Sequence, residues 1–466
     1  MPPILPRAPV ADLLRSPLVR PVIRAWAALL TTMAMAWAGG TGAQGRVIAA
    51  DPSNYLALLR TLQPGDTLRL AAGTYDPAGG APGLPLFGLH GTAGRPITIT
   101  GPEGGARPLL LGRAGYNTVR LADASHLVVR NLVIDGRDLG GAGVAAQGLT
   151  HHITLENLVI RGVGSDQQVD GISTAGAPAW NWVVRGNTIV GAGTGMYFGN
   201  SDGTHPFVAG LIERNLVRDT IGYNIQIKHQ LPRPEGIGLP AGPSRTIVRR
   251  NVFSKSANSA TGPMARPNLL VGHFPTSGPG SDDLYEIYGN FFYRNPTEAL
   301  FQGEGNIAFY ANVMFNDAGP ALNIQPHNDL PRSISIFGNT VIASDSGIRV
   351  SGAAAGFAQR VFGNAVFAAV PLAGGQQRDN FTGSYASAAA VLVAPQPPPE
   401  RFDAHPKAGA LRGTPIDAIP AAGYTEFDRD FDGRPRDWTI RGAYTDAGAQ
   451  PGRRPRLAVE PGPAMP

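Results

Sequence analysis

The phrase Asn131-Leu-Val-Ile134 decides the fold, because an asparagine followed by two or three mostly apolar or β-branched residues recurs nine times along the chain. Successive copies lie 26, 30, 28, 36, 39, 22, 27 and 25 positions apart. A period in the twenties without helical periodicity is typical of a parallel β-solenoid with one coil per repeat. The sequence therefore predicts an all-β fold, a right-handed parallel β-helix of roughly ten or more coils in a single domain. The copies begin at Asn131, Asn157, Asn187, Asn215, Asn251, Asn290, Asn312, Asn339 and Asn364.

The repeated asparagines are expected to stack in a column at one corner of every coil. Their amides can hydrogen-bond along the axis, and asparagine tolerates left-handed backbone angles. The two longest intervals contain segments rich in proline and glycine at 231–245 and 259–283. We expect these segments to project as loops beside the coils.

The composition of the 466 residues agrees with a solenoid. The 61 glycines and 42 prolines indicate many turns, while 43% hydrophobic residues suffice for a packed interior. Cysteine is absent, which excludes disulfides, thiol catalysis and cysteine-based zinc sites. Without the predicted leader the formal charge falls from +5 to +2, and this near-neutral balance argues against a nucleic-acid partner.

The N-terminus resembles a secretory signal. Four arginines precede an apolar run at 25–38, and the small residues Thr41-Gly42-Ala43 follow it. The run is shorter than the ~20 residues that a membrane span needs, so a signal anchor is the less favoured alternative. We therefore expect a signal peptide at 1–43, a β-helix at 44–370, a C-terminal capping segment at 371–447 and a disordered tail at 448–466. The mature protein is expected to be a monomer, exported to the periplasm or outside the cell, with no membrane span.

Segments at both ends of the repeats resemble those of a known superfamily. Residues 62–75, LQPGDTLRLAAGTY, and 95–101, RPITITG, resemble the opening of secreted β-helix proteins of the pectate-lyase-like superfamily. Residues 428–436, DRDFDGRPR, with Gly442-Ala-Tyr444, resemble a closing motif of such proteins. Within it, position twelve of the calcium-loop-like phrase is Thr439 where an EF-hand needs glutamate, so we interpret the phrase as a turn. The resemblance covers roughly residues 50–445 and does not specify a reaction.

A second strand in each coil is expected to present two columns of outward side chains, because alternate residues of a strand leave the core. Aromatic rings, amides and basic groups beside glycines would suit a groove for a sugar chain, and an ordinary solvated sheet face is the alternative. The first predicted column is Ser173, Tyr197, Gln226, Leu270, Phe301, Asn323 and Arg349. The second predicted column, two residues further on, is Gly199, Lys228, Gly272, Gly303, Gln325 and Ser351.

Lys228 is the most distinctive residue of this face, since the chain has three lysines against 36 arginines. An amine can lose its proton and act as a base, whereas a guanidinium cannot. Neighbouring charge and partial burial could depress its pKa. A solvated or salt-bridged lysine is the alternative. The neighbours expected around it are Tyr197, His229, His273, Glu304 and His327.

β-Elimination of an acidic, uronate-containing polysaccharide needs a base, a proton donor and a group that neutralises the carboxylate. Lys228 is the candidate base, with Tyr197 or His273 as the donor and Arg266, Arg349 or a calcium ion as the clamp. The remaining contacts to substrate are assigned to Gln226, His229, Phe301, Glu304, Asn323, Gln325, His327 and Arg349. The resemblance implies the same chemistry, because several lyase families on this fold use lysine or arginine as the base, often with calcium.

Three aspartates near adjacent coils, Asp166, Asp170 and Asp202, could form an oxygen site for Ca²⁺. Aspartates at coil turns are commonly turn formers only, so this metal site competes with a purely structural interpretation.

Three other activities remain open on the sequence. A glycoside hydrolase would need paired carboxylates, and no paired aspartates stand on a predicted strand. A uronate epimerase of this fold would carry an Asp-Pro-His-Asp phrase, which is absent. A carbohydrate-binding or adhesion solenoid would use Tyr197 and Phe301 for stacking on sugars and Lys228 only for pairing with a uronate.

Overall fold

The computed structural model describes residues 45–76, 82–445 and 452–460. The signal peptide predicted at 1–43 lies outside the described residues. Nearly all regular structure in the described residues is β-strand, arranged in three long parallel sheets that we number I to III. The predicted right-handed parallel β-helix is confirmed.

Each coil contributes one strand to each sheet, and each strand pairs in parallel with its counterpart in the next coil. Sheet I contains Val47–Ala50, Thr67–Leu70, Ile97–Thr100, Ala124–Arg130, Thr150–Glu156, Val183–Arg185, Leu211–Glu213, Arg245–Arg249, Leu284–Tyr288, Ile307–Tyr310, Ile334–Phe337, Gln359–Phe362 and Gln376–Arg378, with Ala179–Trp180 and Phe207–Val208 beside this path. Sheet II contains Leu84–Phe87, Val119–Ala122, Val144–Gln147, Asp170–Gly176, Thr194–Phe198, Ile225–Ile227, Leu269–Val271, Phe301–Gly303, Leu322–Ile324, Ser346–Val350 and Val370–Ala373. Sheet III contains Thr74–Tyr75, Leu109–Leu111, Val133–Asp135, Val159–Arg161, Thr188–Val190, Leu216–Arg218, Val252–Ser254, Phe291–Tyr293, Val313–Asn316, Thr340–Ala343, Ala365–Phe367 and Phe381–Gly383.

The remaining elements are short. They are the α-helices Tyr55–Leu59 and Ala388–Val391, the 3₁₀ turns Gly262–Met264, Tyr385–Ser387 and Ile419–Ala421, and the antiparallel strands Leu392–Ala394 and Asp403–Pro406. None of the helices in the described ranges is long and apolar enough to cross a membrane.

The interior of the coils is a single apolar column. In sheet II, Ile172, Met196, Ile225 and Leu269 are in register from coil to coil, and all four are fully buried. Burial of apolar area supplies the main favourable free energy of folding. The stacked aliphatic rows therefore hold the coils together without disulfides.

The predicted asparagine column is present as a buried ladder of amide hydrogen bonds. From Asn187 onwards, each side-chain Nδ2 donates to Oδ1 of the asparagine one coil further on, at 2.9–3.1 Å. The ladder ends at Asn380, an asparagine beyond the nine repeats recognised in the sequence. Left-handed backbone angles occur at Asn131 and Asn157, but from Asn187 onwards the residue before the asparagine adopts them, as at Gly186.

The C-terminal segment packs along the outside of the coils. One group of its side chains, including Phe402 and Tyr444, covers the outer face of sheet III, and a second group, including Ile416 and Trp438, covers that of sheet I. Neither group includes a strand residue of sheet II, whose outer face this segment leaves accessible. The parallel strand pairing of the β-helix continues to Gly383, beyond the boundary expected at residue 370.

The described tail residues, 452–460, also contact the fold, which differs from the disorder expected for 448–466. Leu457 and Val459 pack against the cluster on sheet III, and Arg453 donates to the carbonyl oxygen of Gly289. In the calcium-loop-like phrase, Asp430 accepts hydrogen bonds from Arg434 and Thr445, as expected for a turn.

Candidate functional site

The outer face of sheet II carries one continuous column of side chains. Tyr197 is in register with Gln226, Gln226 with Leu270, and Leu270 with Gln302. Ser173 precedes this row, and Asn323 and Arg349 continue it. The predicted column is therefore present except at one coil, where Gln302 takes the place of Phe301.

The assignment of Phe301 to the substrate-binding face was wrong. Phe301 is in register with the core residues Leu269 and Leu322, is fully buried, and packs against Phe309 with ring centroids 4.8 Å apart. Because side chains alternate along a strand, the shift of one residue moves Phe301 inward and Gln302 outward. Phe301 cannot stack on a sugar.

The same shift changes the second column and places Glu304 in line with Lys228, two coils further on. Ile227, Val271 and Gly303 are in register, so the residues that follow them are Lys228, Gly272 and Glu304. The predicted member Gly303 is instead a buried strand residue. A side chain at Gly272 would approach the backbone nitrogen of His229 to 2.2 Å, so glycine is required there.

Lys228 is half-buried, and no hydrogen bond or ion pair holds its amine within the described part of the chain. Its Nζ lies 5.9 Å from the ring centroid of Tyr197. Burial lowers the pKa of the amine, and the Glu304 carboxylate opposes part of this effect. A desolvated amine releases its proton more readily than a solvated one, which suits a general base.

Glu304 is a buried anion whose partners are backbone groups. One carboxylate oxygen, Oε2, accepts hydrogen bonds from the amides of His327, Asn328 and Asp329 at 2.9–3.0 Å. The carboxylate thus orders the loop after strand Leu322–Ile324 while providing negative charge near Lys228. This makes Glu304 a positioning residue, and His327 itself is exposed.

His229 and His273 stack on each other with ring centroids 5.3 Å apart. Burial, His273 and Lys228 lower the pKa of His229, which favours its neutral form. Nδ1 of His229 is buried without a partner among the described residues. Nδ1 of His273 contacts the carbonyl oxygen of Phe274 at 2.8 Å, so a neutral ring carries its proton there and presents Nε2 as an acceptor. His273 is therefore a weaker candidate for the proton donor than Tyr197.

A cavity of about 220 Å³ lies on the N-terminal side of Lys228. Arg266 is held there by the carbonyl oxygens of Pro263 and Ala265, and its guanidinium lies 5.9 Å from the Tyr223 ring centroid. Burial raises the pKa values of both tyrosines that line it. The cavity is lined by Gln167, Gln168, Asp170, Ala175, Thr194, Tyr197, Tyr223, Gln226 and Arg266.

Asp170 gives this cavity a carboxylic acid with a raised pKa. Burial raises the pKa to about 7, a hydrogen bond from Ser173 opposes the shift, and Asp166 adds a smaller increase. A carboxylic acid with such a pKa can donate a proton near neutral pH. In the sequence, Asp170 was a candidate metal ligand instead.

The three aspartates predicted to bind Ca²⁺, Asp166, Asp170 and Asp202, do not converge on one point in the structure. In the described ranges, the only group of at least three carboxylate or histidine ligand atoms lying within 4.8 Å of one another is a histidine cluster on sheet I. Asp166 accepts a hydrogen bond from the amide of Gln168, and Asp202 accepts from Thr204. Both are turn-forming contacts, which was the structural alternative.

The remaining predicted contacts lie further along the axis. Glu304, Gln325 and His327 line a shallow depression with Gln302, two coils beyond Gln226. Asn323 and the exposed Arg349 lie beyond it on the next two strands. Arg349 is therefore separated from the cavity, and Arg266 is the guanidinium that could hold a carboxylate there.

Two residues of the site were not recognised in the sequence. Tyr223 lines the cavity, and its position just before Asn224 at the start of a predicted strand was the available signal. Lys255 is fully buried and donates from Nζ to the carbonyl oxygen of Arg266 at 2.8 Å. Burial, and less strongly Arg266, lower its pKa to about 7. Lys255 anchors the segment that presents Arg266.

A larger cavity, of about 490 Å³, lies near the N-terminal end of sheet II. Its described lining is mostly apolar, with Phe87 and Tyr116, and the only charged residues among these are Arg60 and Arg120. Among the described residues that line it, none is a carboxylic acid, a histidine or a lysine.

The chain is similar in fold to several solved structures. No protein-family model and no curated protein matches the sequence. Among solved structures, an alginate lyase from Paenibacillus sp. str. FPU-7 is 17% identical, with 73% of this chain and 97% of that chain covered and a TM-score of 0.33. Pectate lyase Pel9A is 12% identical, with coverages of 88% and 91% and a TM-score of 0.41. A GH136 lacto-N-biosidase from Eubacterium ramulus is 15% identical, with coverages of 78% and 70% and a TM-score of 0.44. At these identities the similarity concerns the fold alone.

Proposed function

We propose that the protein is a polysaccharide lyase that cleaves an acidic, uronate-containing polysaccharide by β-elimination. The predicted signal peptide would place this reaction in the periplasm or outside the cell. The observation that carries the proposal is the grouping of a base, a proton donor and a carboxylate clamp on neighbouring coils of sheet II. The half-buried amine of Lys228 lies over Tyr197, and Tyr197 shares a cavity with Arg266.

Each of these groups has one part in the reaction. The guanidinium of Arg266 binds the uronate carboxylate and makes the proton on the adjacent carbon more acidic. The neutral amine of Lys228 removes that proton, and the released electron pair forms a carbon–carbon double bond. The bond to the glycosidic oxygen breaks as this oxygen receives a proton from Tyr197 or Asp170. The products are a new chain end and an unsaturated uronate.

The proposal is tested by incubating the purified protein with a panel of acidic polysaccharides, with and without calcium. Absorbance in the band of unsaturated uronates is expected to rise on at least one of them. A neutral polysaccharide serves as the control and should give no change. If the absorbance stays flat on every uronate polymer while binding to one of them is retained, the protein is a carbohydrate-binding solenoid and the proposal fails.

The Asp170→Asn variant is expected to change the alkaline side of the pH profile of kcat/KM. Because the pKa of Asp170 is raised to about 7, its proton is present below that pH and is lost above it. If this proton is donated to the leaving oxygen, activity falls as the pH rises through 7 in the natural protein, and asparagine removes this fall while lowering the maximum. Initial rates between pH 5 and pH 9 measure the effect. An unchanged alkaline side would assign the donor role to Tyr197 alone.

Hydrolysis is the second candidate, and Asp170 is the observation that favours it. A protonated carboxylic acid in a sugar-sized cavity, with the Asp166 carboxylate near enough to influence its pKa, has the composition of a glycosidase site. Hydrolysis would release new reducing ends without the unsaturated-uronate band. Measuring both signals on the same sample distinguishes the two reactions.

A further inference from the structure

Three histidines converge on sheet I, away from the face that carries Lys228. His126 stands on strand Ala124–Arg130, while His151 and His152 stand on the paired strand Thr150–Glu156. One ring nitrogen from each lies within 4.8 Å of the others. Nδ1 of His151 and Nδ1 of His152 are only 2.8 Å apart.

The backbone explains why the three rings meet. His126 and His152 have positive φ angles, 53° and 54°, which interrupt the alternation of each strand at equivalent points of successive coils. Because His126 and His152 hold equivalent positions in neighbouring coils, their imidazoles stack with centroids 4.3 Å apart. The interrupted alternation also brings the rings of the sequence neighbours His151 and His152 together. His151 is supported from the other side by Trp180, whose ring stacks on it at 4.6 Å.

We propose that His126, His151 and His152 form a binding site for a divalent transition-metal ion such as Zn²⁺ or Ni²⁺. Imidazole nitrogen is a preferred ligand of these ions, and hard cations such as Ca²⁺ prefer oxygen. Two nitrogens on one tetrahedral Zn²⁺, each bound at about 2.0–2.1 Å, lie only slightly further apart than the 2.8 Å between His151 and His152. With three protein ligands, the fourth position is open to water or another ligand.

Asn181 can hydrogen-bond to the ring nitrogen of His152 that would not bind the metal ion. Its Nδ2 lies 3.0 Å from Nε2 of His152, on the side of the ring opposite Nδ1. Rotation of the amide by half a turn would present Oδ1 to a protonated Nε2 and leave Nδ1 free for the metal ion. Such partners fix the tautomer and orientation of metal-binding histidines. Because the three ligands come from two coils, the bound ion would crosslink those coils.

Isothermal titration calorimetry of the untagged full-length protein with ZnCl₂ and with NiCl₂ tests the site, and CaCl₂ serves as the hard-cation comparison. We expect one equivalent of Zn²⁺ or Ni²⁺ to bind, with an upward shift of the thermal unfolding midpoint, and no such effect of Ca²⁺. His151→Ala should weaken binding by at least about tenfold. His126→Asn is the second variant, because asparagine tolerates the positive φ at this position but is a poor ligand for these ions.

The matched control is His273→Ala, which removes a histidine from the other stacked pair, His229 and His273. It should bind one equivalent with unchanged affinity. Absence of binding by the natural protein, equal affinity in the folded His151→Ala and His126→Asn variants, or loss of binding in His273→Ala would each overturn the proposal. Circular dichroism verifies that the variants are folded.

Discussion

Replacing Lys228 with alanine is expected to lower kcat on the uronate polysaccharide by about 10²–10⁴-fold, the usual contribution of general acid–base catalysis. The half-buried amine over Tyr197 is the proposed base, and alanine leaves no group at this position that could accept the proton. Lys228→Arg should also lower kcat strongly, because a guanidinium releases its proton far less readily than an amine. Initial rates of unsaturated-product formation measure both variants.

The two substitutions separate a base from a binding group. If Lys228 only pairs with a uronate carboxylate, arginine preserves the charge and most of the activity. Lys407→Ala is the matched control, since this lysine is exposed and its Nζ donates to the carbonyl oxygen of Ala389 in the C-terminal segment, away from sheet II. Substantial activity in Lys228→Arg would contradict the assignment of the base.

Asn290→Ala is expected to lower the free energy of unfolding by about 2–4 kcal/mol, because it leaves buried polar groups without partners. Oδ1 of Asn290 accepts from both the backbone nitrogen and Nδ2 of Asn251. Its Nδ2 donates to Val248, Tyr288 and Asn312. Water cannot replace these contacts, since the side chain is fully buried. Urea denaturation followed by circular dichroism measures the loss.

The end of the ladder provides the control for this prediction. Asn380 accepts the same pair of hydrogen bonds from Asn364 but is only half-buried. Water can reach the groups that Asn380→Ala would expose, so we expect a clearly smaller loss. Equal losses for the two variants would show that burial in the ladder is not the source of the effect.

The sequence predicted the repeating parts of this fold because the same pattern of residues recurs in each coil. The asparagine phrase indicated the solenoid, the ladder and the sheet II rows around Tyr197 and Gln226. The predicted register was wrong at Phe301, because Leu300 and Phe301 are adjacent and both fully buried. Two neighbouring apolar residues fit either register, and only pairing with Leu269 and Leu322 distinguishes them.

The chemistry of the site depends on burial, which the spacing of residues does not reveal. Asp170 was assigned to a metal because it lies with Asp166 and Asp202 near adjacent predicted coils, but burial raises the pKa of its carboxyl group. The burial of Lys255 beside the carbonyl oxygen of Arg266 likewise has no signal in the local sequence. The convergence of His126 with His151 and His152 depends on the left-handed backbone angles of His126 and His152, which no local sequence motif indicates.

The parallel pairing of sheet II also places equivalent side chains at a constant spacing along the axis. Neighbouring parallel strands lie about 4.8 Å apart, so side chains in one column recur at that interval along the axis. A polymer lying along the column would contact Tyr197, Gln226, Leu270 and Gln302 in turn, one side chain per coil. Inserting or deleting one whole coil would lengthen or shorten the column by one side chain. The spacing between the remaining side chains would not change.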